Sequence, residues 1–244
     1  MLNNLEKKVK YANKIYFDKI ASIYEELDGR RKFLPFLEEN IKTLAKKTTP
    51  SLFLDLGCGK GFLCEYADKF FNKVIGVDIS LNMLKETKSK GFITICADIE
   101  NLPLKQESIS CIGIFSVLHH CVNLEKIFKE CFRVLKKGGL LYCDHDIDKD
   151  FVRRFSIPLD IYRCIRAFFK KSYIKDKSLT SLERLVEFRE KGLDKKELIN
   201  LLKEAGFRNI KIINHYKGLS PLLEKYKIFE IFNIMPLIRI LAEK

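Results

Sequence analysis

The sequence predicts an α/β fold, doubly wound around a mostly parallel sheet, and three observations carry that expectation. The first is a short apolar run, Leu52, Phe53, Leu54 and Leu56, of the kind found in strands buried on both faces. It stops at Gly57, Gly59 and Gly61, and Phe62, Leu63, Tyr66, Ala67 and Phe70 then recur at helical spacing. The second is another buried run, Val74 to Val77, ending in an acid, Asp78. The third is the repetition of that pattern: Phe92 to Ala97 ends in Asp98, and Ser110 to Ser116 ends in a polar turn. Strands alternating with helices in this way build a parallel sheet covered on both faces.

Strand, glycine turn, helix and acid-tipped strand together suggest a nucleoside-bearing cofactor. Glycines let a chain turn tightly and bring its backbone against a ligand. An acid at the second strand's tip is placed to accept hydrogen bonds from ribose hydroxyls. The dinucleotide fingerprint is G-x-G-x-x-G, with a helix N-terminus facing a pyrophosphate. Here the spacing is G-x-G-x-G, with Asp55 two residues before the first glycine. An acid there would repel a pyrophosphate but suits a cationic amino-acid ligand.

The run Asp55-Leu-Gly-Cys-Gly-Lys-Gly61 closely resembles the first motif of class I S-adenosylmethionine-dependent methyltransferases. The resemblance implies a Rossmann-like core and S-adenosyl-L-methionine as cofactor, with S-adenosyl-L-homocysteine as product. It implies that Asp55, Gly57, Cys58, Gly59 and Gly61 lie against the methionine part and that Asp78 holds the ribose. Ile79 is placed to lean on the adenine ring. Ala97-Asp-Ile-Glu-Asn-Leu-Pro-Leu104 resembles the third motif, which gives Asp98 the adenine amino group and the Ile99 backbone amide a ring nitrogen.

Phe115-Ser-Val-Leu-His-His120 resembles the F-x-V-L-H-H motif of the same family. Ligands of open parallel sheets bind beyond the carboxyl ends of the strands, so Ser116, His119 and His120 fall at the mouth. A histidine there can take a proton from an acceptor hydroxyl, and capping the next helix is the competing role for either of them. Cys111 stands where many relatives have an acid, which reads as a packing change.

Residues 1–50 form a helical cap in this reading. Phe17, Ile20, Ala21 and Tyr24 share one helical face, and the segment resembles the F-D-x-I-A-x-x-Y entry of ubiquinone- and menaquinone-type methyltransferases. There the tyrosine region closes over the cofactor, so Tyr24 is a pocket candidate, with plain core packing as the alternative. The core takes residues 51–148 and 193–216. Leu124 to Leu135 reads as a helix closed by Lys136-Lys-Gly-Gly139, and Leu140 to His145 reads as the fifth strand. Asp144-His-Asp-Ile-Asp148 reads as a polar rim of the acceptor pocket, and no metal site is expected from it. Asp194 caps a helix that Gly206 ends, and Phe207 to Tyr216 is a sixth strand.

Residues 149–192 are expected to form a helical acceptor lid. Arg153, Arg154, Arg163, Arg166, Lys170 and Lys171 lie there among large apolar residues. A basic amphipathic helix of this kind rests on a membrane surface, receives an acidic acceptor or faces water. The apolar tail, 217–244, fits helix and strand about equally. Relatives place a seventh, antiparallel strand there.

The 244 residues carry a net charge of +13, mostly from lysines spread along helices. That excess invites an RNA reading, yet the fourth motif lacks the Asn/Asp-Pro-Pro-aromatic run that grips an exocyclic amine. No specific nucleic-acid partner is expected. The eight cysteines form no C-x-x-C pair, and the chain has neither a signal core nor an apolar run long enough to span a bilayer. The expectation is a cytoplasmic enzyme, monomeric or homodimeric, with peripheral membrane contact left open. It methylates a small-molecule or lipid-linked acceptor at oxygen or carbon. The alternatives are an RNA methyltransferase and a partner subunit that binds the cofactor without catalysis.

Overall fold

The computed structural model describes residues 2–24, 34–161, 177–218 and 234–244. Seven strands form one sheet in the order β3-β2-β1-β4-β5-β7-β6. They are β1 (Phe53–Leu56), β2 (Val74–Asp78), β3 (Ile93–Cys96), β4 (Ile109–Phe115), β5 (Leu135–Ile147), β6 (Arg208–His215) and β7 (Leu237–Glu243). The first five run parallel, and β7 lies antiparallel between β5 and β6. Every residue of β1, β2 and β4 is buried, as strands covered by helices on both faces require. The chain winds one way from β1 to β3 and the other way from β4, so a crevice opens between the tips of β1 and β4.

The helices are α1 (Leu2–Ile20), α2 (Pro35–Lys47), α3 (Phe62–Ala67), α4 (Leu81–Ser89), α5 (Leu124–Val134), α6 (Lys149–Arg154), α7 (Lys177–Val186) and α8 (Lys195–Ala205). Side-chain caps start several of them. Ser80 accepts from the Met83 N–H, Asn123 from Lys126, and Asp194 from Lys196 and Glu197. On α5, Leu124, Ile127, Phe128, Cys131 and Val134 make one buried stripe against the sheet.

Helix α1 is more than a cap on the core. Its Ala12, Tyr16 and Ile20 pack with Met83 of α4 and with Leu179 and Val186 of α7 in a separate small cluster. Asp18 fastens it, accepting from the Ser80 hydroxyl at 2.7 Å and the Asn82 N–H at 3.0 Å. It therefore lies across the carboxyl ends of the strands.

Two expectations change, and one that the sequence leaves open is decided. Lys136-Lys-Gly-Gly139 does not close a helix, because β5 already begins at Leu135, which pairs with Ile109 before a bulge. The tail does supply a strand, β7, so the sheet includes residues beyond 216. The Asp144–Asp148 stretch is not a polar rim: Asp144, Asp146 and Asp148 are all buried. Asp144 accepts from the Tyr142 hydroxyl, pairs with Arg239 Nε at 2.7 Å and meets His215 Nε2 at 2.6 Å. Asp148 caps α6 and pairs with Lys195 at 2.8 Å. The basic residues Arg163, Arg166, Lys170 and Lys171 lie outside the described residues, so their expected place in the lid is not described.

Candidate functional site

A cavity of about 120 Å³ lies in the crevice, walled by the strand tips and by α1. Its floor is the turn after β1. Gly57 and Gly59 have φ of +70° and +51°, a left-handed conformation that residues with a Cβ rarely adopt. A Cβ on Gly57 would strike Val117 at 2.5 Å, whereas one on Gly59 would meet nothing within 4 Å. Gly59 therefore offers bare backbone to open space, as a closely held ligand needs.

Asp78 stands at the tip of β2, on the cavity wall. Its Oδ2 accepts from the Gly59 N–H at 2.9 Å and its Oδ1 from the Ser80 N–H at 2.8 Å. The first bond ties the second strand to the glycine turn and orients the carboxylate without using all of its lone pairs. Burial pushes this carboxyl up from its ordinary value, and the backbone donors oppose the shift. Donors from a ligand would favour the ionised form further.

Ile79, Asp98 and Ile99 line the same cavity. Asp98 accepts from the Glu100 N–H at 2.9 Å and pairs with Lys10 of α1 at 2.8 Å. Glu100 meets the same lysine at 2.6 Å, and burial pushes its carboxyl up to about 7. Ser116, just past β4, also faces the cavity and holds φ at +59°, an uncommon conformation for serine. Tyr24 lines the opposite wall.

The structure thus brings together Gly57, Gly59, Asp78, Ile79, Asp98, Ile99, Ser116, Tyr24 and His120 around one space. Asp55, Cys58, Gly61 and His119 do not line it. Asp55 is 1% exposed inside β1, and Cys64 Sγ lies 3.3 Å from its carboxylate. Cys58 is buried, with its sulfur packed against Gly76.

The two histidines occupy a short 3₁₀ turn, Leu118–His120, directly after β4. His120 Nδ1 lies 2.7 Å from the Val186 carbonyl, which can only accept, so Nδ1 carries the proton and Nε2 the lone pair. Burial, then neighbouring His119, pull its pKa down to about 4, and the ring is neutral near pH 7. His119 Nδ1 lies 2.7 Å from Asp146 Oδ1, and its Nε2 is 3.7 Å from Glu187.

Sequence reasoning placed Phe17 and Tyr24 over the cofactor but missed Val9, Lys10 and Asn13 of α1. Val9, Lys10, Asn13 and Phe17 line the cavity at helical spacing. Asn13 donates to the His120 carbonyl at 3.1 Å, while its Oδ1 is buried without a hydrogen-bond partner. The signal available was a helical stripe in which polar Lys10 and Asn13 adjoin the buried face of Val9, Ala12 and Tyr16.

Comparison with known proteins agrees with this geometry. Residues 54–143 match the family described as "Methyltransferase domain". An uncharacterized protein of Methanocaldococcus jannaschii is 32% identical over 195 residues, covering 80% of this chain and 82% of that one. Demethylmenaquinone methyltransferase of Lactococcus lactis is 28% identical over 217 residues, 83% and 84% of the two chains. Among solved structures, a methyltransferase from Thermotoga maritima, titled as a possible histamine N-methyltransferase, shares the fold. Its TM-score is 0.62 at 20% identity, over 94% of this chain and 98% of that one. The chain belongs to the class I S-adenosylmethionine-dependent methyltransferases and takes S-adenosyl-L-methionine as its methyl donor.

Proposed function

We propose that the enzyme methylates a small-molecule or lipid-linked acceptor at oxygen or carbon, with an aromatic hydroxylated ring as the leading candidate. The observation that carries this reading is the cavity wall beyond Ser116. There the Phe17 ring meets the His120 ring edge-on, centroids 5.3 Å apart, and Phe115, Val117 and Val122 line the same space beside Ser116. Such a wall suits a flat apolar acceptor better than a polynucleotide, whose phosphates need cationic partners. The similarity to a demethylmenaquinone methyltransferase points to the same acceptor class.

In this reading the cofactor supplies a sulfonium methyl group, and the chain's own residues hold and orient it. Asp78 accepts from the ribose hydroxyls. Asp98 and the Ile99 amide receive the adenine edge, Ile79 supports its face, and the turn at Gly57 and Gly59 lies along the methionine part. Tyr24 and α1 close the space and exclude water. Methyl transfer from sulfur needs an in-line approach, so positioning contributes much of the rate. Proton removal from the acceptor falls to His120, which lines the cavity, with the His119 ring beside it at 3.8 Å between centroids.

The test is release of S-adenosylhomocysteine from purified protein with panels of hydroquinones, prenylated phenols, sugars, acyl thioesters and RNA. Turnover with ring hydroxyl compounds and none with RNA is the expected result. Turnover confined to RNA would overturn the reading, and tight cofactor binding without turnover on any panel would favour a non-catalytic subunit.

A further inference from the structure

The chain has four histidines, and the fold sorts them into two pairs. His145 and His215 gather around Asp144, where the Arg239 guanidinium already supplies positive charge at 2.7 Å. The other pair is built differently. One ring nitrogen each from His119 and His120 and a carboxylate oxygen of Glu187 lie within 4.8 Å of one another. The two rings nearly touch, with centroids 3.8 Å apart and planes inclined by 47°.

In both imidazoles Nδ1 is engaged from behind. His119 uses it toward the Asp146 carboxylate and His120 toward the Val186 carbonyl, each at 2.7 Å. Nε2 is the second nitrogen of each ring, and that of His119 faces Glu187 at 3.7 Å. Metal-bound histidines show this pattern, donating their second N–H to a carboxylate or backbone carbonyl that fixes ring and tautomer. Here one ring has each kind of partner.

A second observation points the same way. Asp146 is 2% exposed, and its Oδ2 has no hydrogen-bond partner. A buried carboxylate is costly unless nearby positive charge offsets it. A cation on the far side of the His119 ring would provide that charge through the imidazole. The scaffold is also set in advance. The Arg189 N–H donates to the His119 carbonyl at 2.8 Å, and its guanidinium donates to the carbonyls of Cys121 and Val122 at 3.0 and 3.1 Å. The segment bearing Glu187 is thereby fastened to the histidine turn.

We propose that His119, His120 and Glu187 bind one divalent transition-metal ion at the edge of the cofactor cavity, where it holds an oxygen of the methyl acceptor. Two imidazoles and a carboxylate suit zinc or iron(II) better than magnesium or calcium, which prefer oxygen ligands alone. Three protein ligands leave coordination positions open, the mark of a reactive site rather than a structural one. Glu187 is half exposed and His120 lines the cavity, so the ion faces solvent on one side and acceptor on the other.

The ion's role, though not its site, rests on the methyl-transfer reading above. A hydroxyl bound to the ion loses its proton to water near neutral pH. The resulting oxygen anion bonds to the methyl carbon as the carbon–sulfur bond breaks, and the electron pair stays on sulfur as a neutral thioether. The acceptor would then carry a phenolic or enolic oxygen at or beside the methylated atom.

The experiment uses the full chain without a histidine tag, stripped with chelator and titrated with Co²⁺, then Zn²⁺. Expected is one Co²⁺ per chain with the visible bands of low-coordinate cobalt, which Zn²⁺ then displaces. Glu187→Gln and His119→Ala should each weaken binding about 100-fold or more, and Asp146→Asn about 10- to 100-fold. His215→Ala should leave binding unchanged. S-adenosylhomocysteine affinity, measured by calorimetry in metal-free wild type and in Glu187→Gln, should agree within about twofold and shows that the variant is folded. Equal Co²⁺ affinity in wild type and Glu187→Gln would overturn the site. So would loss of binding in His215→Ala alone. Metal binding as described with no affinity for S-adenosylhomocysteine would leave the site standing and defeat the cofactor geometry instead.

Discussion

The carboxylate of Asp78 is aligned before any ligand arrives, because the amides of Gly59 and Ser80 already hold its two oxygens. Charged hydrogen bonds of this kind contribute about 1.5–3 kcal/mol. Asp78→Asn should therefore weaken S-adenosylhomocysteine binding by about 10- to 100-fold in calorimetry, with the melting temperature nearly unchanged. Equal affinity would remove the residue from ribose binding. Asp144 makes the opposite kind of contribution. It lies buried beside Tyr142, His145, His215 and Arg239, and those hydrogen bonds and charges outweigh burial and hold its carboxyl well below the usual range. Asp144→Asn would leave Arg239 with a weakened partner and should cost about 3–5 kcal/mol in denaturant unfolding. A group whose pKa is depressed on folding adds stability above its unfolded value, and that stability is lost as pH falls. The variant should thus lose least relative to wild type in acid. A constant difference across pH would contradict the network.

At the level of elements, α1 is the piece that turns an open crevice into a cavity. It places Val9, Lys10, Asn13 and Phe17 over the strand tips, and its inner face packs on α4 and α7. Tyr16→Ala removes a 4% exposed ring from that small cluster and should cost about 3 kcal/mol locally. Hydrogen exchange should quicken over residues 2–24 while β1 and β4 stay protected, and cofactor affinity should fall with it. Unchanged protection in α1 would show that the helix is held by other contacts. The sequence made β1 to β4 legible, since the apolar runs of the first three end in glycine or acid and that of β4 ends in the polar turn at Ser116. It left the part of α1 before Phe17 hidden, because Asn13 and Lys10 look like ordinary surface residues until the crevice beneath them is known. The strand at Leu237–Glu243 was also ambiguous. Buried Ile238, Ile240 and Ala242 alternate with half-buried Arg239, Leu241 and Glu243, but so short a stretch holds too little of that period to separate strand from helix, and only pairing with β5 and β6 decides it. The rim expected at Asp144–Asp148 failed for a related reason. Charge in a sequence suggests exposure, whereas here Arg239 and Lys195 arrive from distant segments to meet it.

For the molecule as a whole, the net charge of +13 acts over long range and sets no specific partner. Binding to bulk RNA is expected at low salt and should vanish by moderate salt, as counterion release dictates. Retention at moderate salt would revive the RNA reading. No helix among the described residues is long and apolar enough to cross a membrane. The cavity lies where the winding of the chain reverses, and everything proposed for the acceptor, its proton and the ion's role depends on the cofactor lying there. A crystal structure with S-adenosylhomocysteine bound tests that placement most directly. Its ribose should rest on Asp78, its adenine between Ile79 and Ile99, and its sulfur toward Ser116 and His120. A crevice left empty at saturating ligand, or the nucleoside found elsewhere on the chain, would contradict the account.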